Sequence, residues 1–200
     1  MQPDDVDMQP QEADPPLRVD WIDSQHVGDG RSGRLGLTFL PGKHGPSFRY
    51  PGHVYRRNLD QDLADLVTQS VGVLMLLVED HELARWGNLD IVTRAATRGV
   101  TVLRWPLVDG AAPETPEAMD QILGEIDRAR ASTDVAVACM GGVGRTGTVA
   151  ACALVAAGLS TDEAIAHVRR VRHPTAVETP EQEAFVANFA RYRADRSSAH

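Results

Sequence analysis

Residues 135–151, VAVACMGGVGRTGTVAA, join two incompatible patterns at a cysteine. Val135, Ala136, Val137 and Ala138 form a short apolar run of the kind a fully buried strand shows, while Thr148 to Ala157 is a good helix former. Cys139 therefore stands where a strand hands over to a helix, in a turn rich in glycine. Glycines there let the backbone curl with its N–H groups inward, and the helix N-terminus adds partial positive charge, so the turn is a candidate anion cradle.

The rest of the chain supplies the neighbours such a junction needs. Val19 to Ile22 and Leu35 to Leu40 read as two strands joined by the turn-rich GDGRSG of residues 28–33, and residues 41–55 read as loop. Asn58 to Gln69 carries Leu59, Leu63 and Leu66 at helical spacing, and Val71 to Val78 is a buried strand. Ile91 to Arg98 is expected as helix and Val100 to Leu103 as strand. Thr115, Pro116 and Glu117 open a further helix with a cap, a proline at its first position and an early acid. Ser160-Thr161-Asp162-Glu163 and Thr179-Pro180-Glu181-Gln182 both have capping-box spacing and open the last two helices. This alternation predicts an α/β domain: a central, mostly parallel sheet with helices on both faces and ligands at the carboxyl ends of the strands, where Cys139 lies. Residues 1–16 are acidic and proline-rich and read as a disordered tail, residues 17–195 as the one domain, and 196–200 as a short tail.

Charge and cysteine usage narrow the chemistry. The formal net charge of -8 argues against a nucleic-acid-binding face, and an anionic substrate must be attracted by local donors against the overall field. The longest apolar runs, Val71 to Val78 and Val149 to Ala157, are too short to span a bilayer, and the N-terminus is not basic then apolar, so neither a membrane nor a secretory signal is expected. Cys139 and Cys152 are the only cysteines and share one turn-plus-helix segment. A stabilising disulfide is not expected, a reducing, cytoplasmic setting fits, and Cys139 is free to be a nucleophile. Cys152 reads as core. The positive charge is nearly all arginine, with Lys43 the only lysine, and nothing in the pattern marks an oligomeric state.

Cys139 and Arg145 are separated by five residues, and Thr146 follows the arginine. Cys139-Met-Gly-Gly-Val-Gly-Arg145-Thr146 resembles the C-x5-R-[ST] signature loop of the protein tyrosine and dual-specificity phosphatases. Each piece has a physical reason. A thiol attacks phosphorus as the thiolate, which a helix N-terminus and a neighbouring guanidinium favour. The amides of Met140, Gly141, Gly142, Val143, Gly144 and Arg145 can surround three equatorial oxygens, while the planar Arg145 fork binds two of them. By resemblance, Thr146 hydrogen-bonds the thiolate as it leaves in the second step. The family also needs a general acid on a loop after the preceding strand. Trp105-Pro-Leu-Val-Asp109-Gly110 sits there, and its proline-to-aspartate spacing resembles the dual-specificity class. Asp109 is the candidate acid. On composition alone Asp-Gly would be a turn pair; its place ahead of the Cys139 strand supports the acid.

Over roughly residues 35–190 the order of Leu40-Pro41-Gly42, Arg56-Arg57-Asn-Leu-Asp60, Glu82-Leu83, Asp109-Gly110 and Ala176-Val177-Glu178-Thr179 resembles that of the kinase-associated phosphatases, the cyclin-dependent kinase inhibitor 3 type. Gln182 then matches the glutamine that positions the hydrolytic water, although its capping-box place explains it equally. One position departs from the pattern: the family usually has histidine before the cysteine, and this chain has Ala138, leaving the helix, the amides and Arg145 to keep the sulfur ionised. The resemblance implies a phosphoprotein phosphatase that hydrolyses phosphotyrosine and/or phosphoserine/threonine esters through a phosphocysteine, needing no metal and no cofactor. Its partner would be a phosphorylated protein or a small phosphate ester. A non-catalytic module that binds phosphorylated partners is the alternative that Ala138 leaves open. Gly142-Val-Gly144-Arg-Thr-Gly147 also spells G-x-G-x-x-G, but helix follows where a dinucleotide fold needs a second strand. His81-Glu82 has arginine, not a second histidine, at position 85 and makes no zinc helix. Arg49, Arg56 and Arg57 are candidate guides for a phosphorylated substrate, against the usual reading of solvated surface charge.

Overall fold

The computed structural model describes residues 14–23, 33–47 and 51–198. Most of the expected tail over 1–16, residues 28–32 of the expected turn, Arg49 and residues 199–200 lie outside the described residues. In chain order the elements are β1 (Asp20–Trp21), β2 (Leu35–Phe39), β3 (His44–Pro46), β4 (Val54–Arg56), α1 (Leu59–Thr68), β5 (Val71–Leu76), α2 (Asp80–Arg85), α3 (Ile91–Ala96), β6 (Thr101–Arg104), α4 (Pro116–Arg130), β7 (Asp134–Cys139), α5 (Gly144–Ala156), α6 (Thr161–Val171) and α7 (Pro180–Ser198).

The main sheet runs β1-β2-β7-β5-β6. Only β1 is antiparallel to its neighbour. The order fixes where the helices lie. From β2 the chain steps across to β5 and on to β6 in one direction, then returns across β5 to β7. Right-handed crossovers therefore put α1 and α3 on one face and α4 on the other. Helix α5 packs against α4, α6, α7, β2 and β7, so α5 to α7 join α4 there. A strand covered on both faces reads as continuously apolar, and β7 does: Val135, Ala136, Val137 and Ala138 are each fully buried. The caps hold as the sequence implied. Asn58 accepts from Gln61 N, Thr115 from Ala118 N, and Ser160 and Glu163 form a reciprocal box.

Four stretches differ from expectation. Residues 41–55 are not all loop: β3 pairs antiparallel with β4, His44 opposite Arg56 and Gly45 opposite Tyr55. The six-residue α2 has too few turns for an apolar stripe and no periodicity to find. The helix expected from Thr148 starts at Gly144, and the helix from Pro180 runs on through Ser198, into the segment read as a tail. Among the described residues no helix is long and apolar enough to cross a membrane.

In the parallel register Phe39 lies opposite Cys139, and Leu76 opposite Ala138. The loops after β2, β5, β6 and β7 thus leave the sheet side by side at its carboxyl edge.

Candidate active site

The turn after β7 is shaped by close approach. Gly142 has φ +66°, and a Cβ there would stand 2.2 Å from the Thr38 carbonyl oxygen, so only glycine lets the loop lie against β2. A Cβ on Gly144 would meet a Glu178 carboxylate oxygen at 2.6 Å. Packing against the 176–178 segment, not propensity, is what lets α5 begin on glycine four residues early. Val143 caps it with no side-chain acceptor, leaving the first-turn amides as orphan donors.

The carbonyls of the turn point outward to cations. Met140 O accepts from Lys43 Nζ at 3.3 Å, Gly141 O from Arg172 Nη2 at 3.2 Å and Gly142 O from Arg172 Nε at 2.8 Å. In a planar trans peptide the following N–H points the opposite way, so the amides of Gly141, Gly142 and Val143 turn to the concave side. Arg172 is itself held by Asp20 at 2.6 Å. Lys43 is buried over the Tyr55 ring, 3.8 Å from its centroid, and no carboxylate partners it among the described residues. Burial, with help from Arg57 and Arg172, pulls its pKa down to about 8 although Cys139 pushes it the other way.

Cys139 ends β7 with 3% of its surface exposed. Arg145, in the first turn of α5, is fully buried at its side chain. Its Nη1 and Nη2 donate to the two Glu82 oxygens at 2.6 and 2.7 Å, and Nη1 also reaches Leu107 O at 2.9 Å. The end of the fork is thus occupied. The side edge is only half taken: Nη2 meets Asp109 Oδ1 at 2.8 Å, while Nε is buried and has no partner among the described residues. Burial disfavours the Arg145 charge, but Glu82, Cys139 and Asp109 outweigh it and raise the guanidinium pKa. Glu82 shows the converse: burial pushes its carboxyl up, and the Arg145 bonds and the Glu79 amide pull it below the usual range.

The structure brings Cys139, Arg145 and Asp109 to one edge. Thr146 is fully buried beside them, its Oγ1 without a partner among the described residues. Met140 takes a hydrogen bond from Trp86 Nε1 on its sulfur at 3.2 Å. Gln182, also fully buried, is engaged: Oε1 accepts from Glu178 N at 2.9 Å and Nε2 donates to Ala111 O at 3.0 Å. Cys152 is buried in the core, as expected. Arg57 is not a surface guide but a buried partner of Asp62, at 2.7 Å, while Arg56 is exposed. Sequence reasoning missed the parts played by Glu82, Lys43 and Arg172. Their partners lie 63, 97 and 30 residues away, beyond any local pattern.

A family model described as the polymorphic toxin system DSP-PTPase phosphatase matches residues 52–159. The cyclin-dependent kinase inhibitor 3 of Rattus norvegicus is 25% identical over 192 residues, covering 92% of this chain and 85% of that protein. A crystal structure of kinase associated phosphatase, its catalytic cysteine replaced by serine, superposes with TM-score 0.77 at 24% identity, over 93% of this chain and 98% of that one. Tk-PTP in its active form is 33% identical with TM-score 0.63, over 82% of this chain and 93% of that one.

Proposed function

Given that the chain belongs to the DSP-PTPase phosphatase family, we propose that it is an active phosphoprotein phosphatase working through a phosphocysteine. The observation that carries this reading is the state of Arg145: its end locked to Glu82, its Nε unpartnered among the described residues, and a carboxylate, Asp109, on the Nη2 beside it. A phosphate entering the cradle meets the amides of Met140 to Arg145 and takes the Nε and Nη2 edge, displacing Asp109 toward the leaving oxygen. The Cys139 thiolate attacks phosphorus in line. The P–O bond breaks, the sulfur–phosphorus bond forms, and Asp109, protonated once phosphate has displaced it from Arg145, gives that proton to the departing oxygen. In the second step Asp109 takes a proton from water, whose oxygen attacks phosphorus, and the thiolate leaves with Thr146 Oγ1 free to donate to it. Phosphotyrosine and phosphoserine or phosphothreonine esters are the substrate class, and the setting is the cytoplasm. A phosphorylated protein or a small phosphate ester is the partner.

Ala138 favours a second reading, a module that binds phosphorylated partners without turnover. A binder has no use for a carboxylate at the rim of its arginine, which is why we prefer the enzyme. Turnover of an aryl phosphate without added metal, inhibited by vanadate, is the expected result. Cys139→Ser should abolish it while the cradle still binds oxyanions. Vanadate binding by a wild-type protein that releases no phosphate would leave only the binding module.

A further inference from the structure

The loop that carries Asp109 is pinned at both ends. On the strand side, Trp105 N donates to Leu76 O and Leu107 N to Leu77 O, both at 3.0 Å, and Arg145 Nη1 holds Leu107 O. On the far side, Thr179 Oγ1 donates to Gly110 O at 3.0 Å and Gln182 Nε2 to Ala111 O at 3.0 Å. Between these anchors Val108 and the Asp109 side chain stand 62% and 78% exposed. Gly110 has φ +79°, which turns its carbonyl toward Thr179. The far anchor is itself rigid. Gln182 N donates back to Thr179 Oγ1 at 3.1 Å, and the Gln182 oxygen takes the Glu178 and Thr179 amides at 2.9 and 3.4 Å. Gln182 therefore spends its acceptor on the α7 cap and a donor on the loop. A fully buried amide so engaged is costly to disturb.

We propose that Thr179 and Gln182 are positioning residues: they clasp the acid loop so that Asp109 stands at Arg145 before any substrate arrives. The catalytic consequence rests on the phosphatase reading; the clasp itself does not. The acid is then preset rather than delivered by closure of a lid, and Gln182 acts through the loop instead of on the hydrolytic water.

Three variants of Thr179 separate the clasp from the helix cap. Thr179→Ser keeps both bonds. Thr179→Asp keeps the capping acceptor and loses the donor to Gly110 O, and Thr179→Val loses both. Amide hydrogen exchange of residues 107–111, read beside exchange in β7, should speed up in the Asp and Val variants and match wild type in Ser. If Thr179→Asp exchanges like wild type, the cap alone matters and the clasp is refuted, whether or not the protein is an enzyme. With active protein, Thr179→Asp should slow esters of poor leaving groups by about five- to tenfold and activated aryl esters by less than about twofold, with no build-up of phosphocysteine. Gln182→Glu, which also keeps the acceptor and loses the donor, should give the same pattern. Phosphocysteine accumulating in a burst, with equal losses on all leaving groups, would return Gln182 to the water and overturn the proposal. Wild type inactive on every ester would defeat the phosphatase reading and leave the exchange result to decide the clasp.

Discussion

Two carboxylates grip the same guanidinium, and they are built for opposite purposes. Glu82, its side chain 8% exposed, meets Arg145 through both oxygens from a helix that follows β5, with a further bond from the Glu79 amide. Asp109, 78% exposed, meets it through one oxygen from a loop tip. In the dry floor a broken pair strands a buried charge; at the wet rim water replaces a lost partner at little cost. The floor contact can therefore serve as a strut, and the rim contact can be given up each time a phosphate binds. Stability and chemistry should separate between them.

Removing the strut is the largest test. Glu82→Gln should cost about 3–5 kcal/mol of stability by denaturant titration and collapse turnover as well, because Arg145 loses its orientation. The sign with pH follows from the lowered Glu82 pKa. A carboxyl held down in the folded state stabilises above its ordinary value of 4.5 and loses that contribution as pH falls through the folded value. The gap between wild type and Glu82→Gln should hence narrow in acid. A gap that widens there would mean that the pair is not the strut.

Asp109→Asn should move rate without stability: about two to four decades lost on poor leaving groups, with unfolding changed by less than about 0.5 kcal/mol. A comparable loss of stability would erase the contrast between rim and floor.

Lys43 sharpens the comparison from a third side, as a buried cation with no carboxylate partner among the described residues. Its pKa falls from 10.5 to about 8, so its protonated form is the destabilised one. The folded state gains relative stability as pH rises from about 8 toward 10.5, since the unfolded chain then holds more protons. The upper bound of this effect is about 3 kcal/mol. Lys43→Met should flatten that rise in denaturation midpoints measured between these limits. An unchanged slope would mean that the cation is better paired than its surroundings indicate.

How far this design was legible follows from the range of each interaction. The Cys139-to-Arg145 spacing is local, and so are the caps at Asn58, Thr115 and Ser160; all could be read from neighbours in the chain. Glu82 could not, because what makes it functional is an arginine that only the assembled sheet brings near. The start of α5 was misplaced because Gly144 and Gly147 are poor helix formers in isolation, and their small size matters only against the 176–178 segment. The β3–β4 hairpin was missed because strands of three residues are too short to show alternation, and His44–Pro46 holds a glycine and a proline besides. Gln182 was legible as a cap but not as a partner of Ala111, which lies 71 residues earlier.

The strand order has a consequence for how the molecule comes into being on the ribosome. β7 lies between β2 and β5 yet is made after both, so a slot must stay unfilled while about a hundred residues of nascent chain emerge between β2 and its neighbour. Until Asp134–Cys139 arrives, two apolar strands present bare edges to any other chain nearby. The segment that completes the sheet is also the one that ends in the cysteine. A polypeptide interrupted before residue 134 would be both sticky and inert, and the strand that closes the sheet is the one that delivers the cysteine.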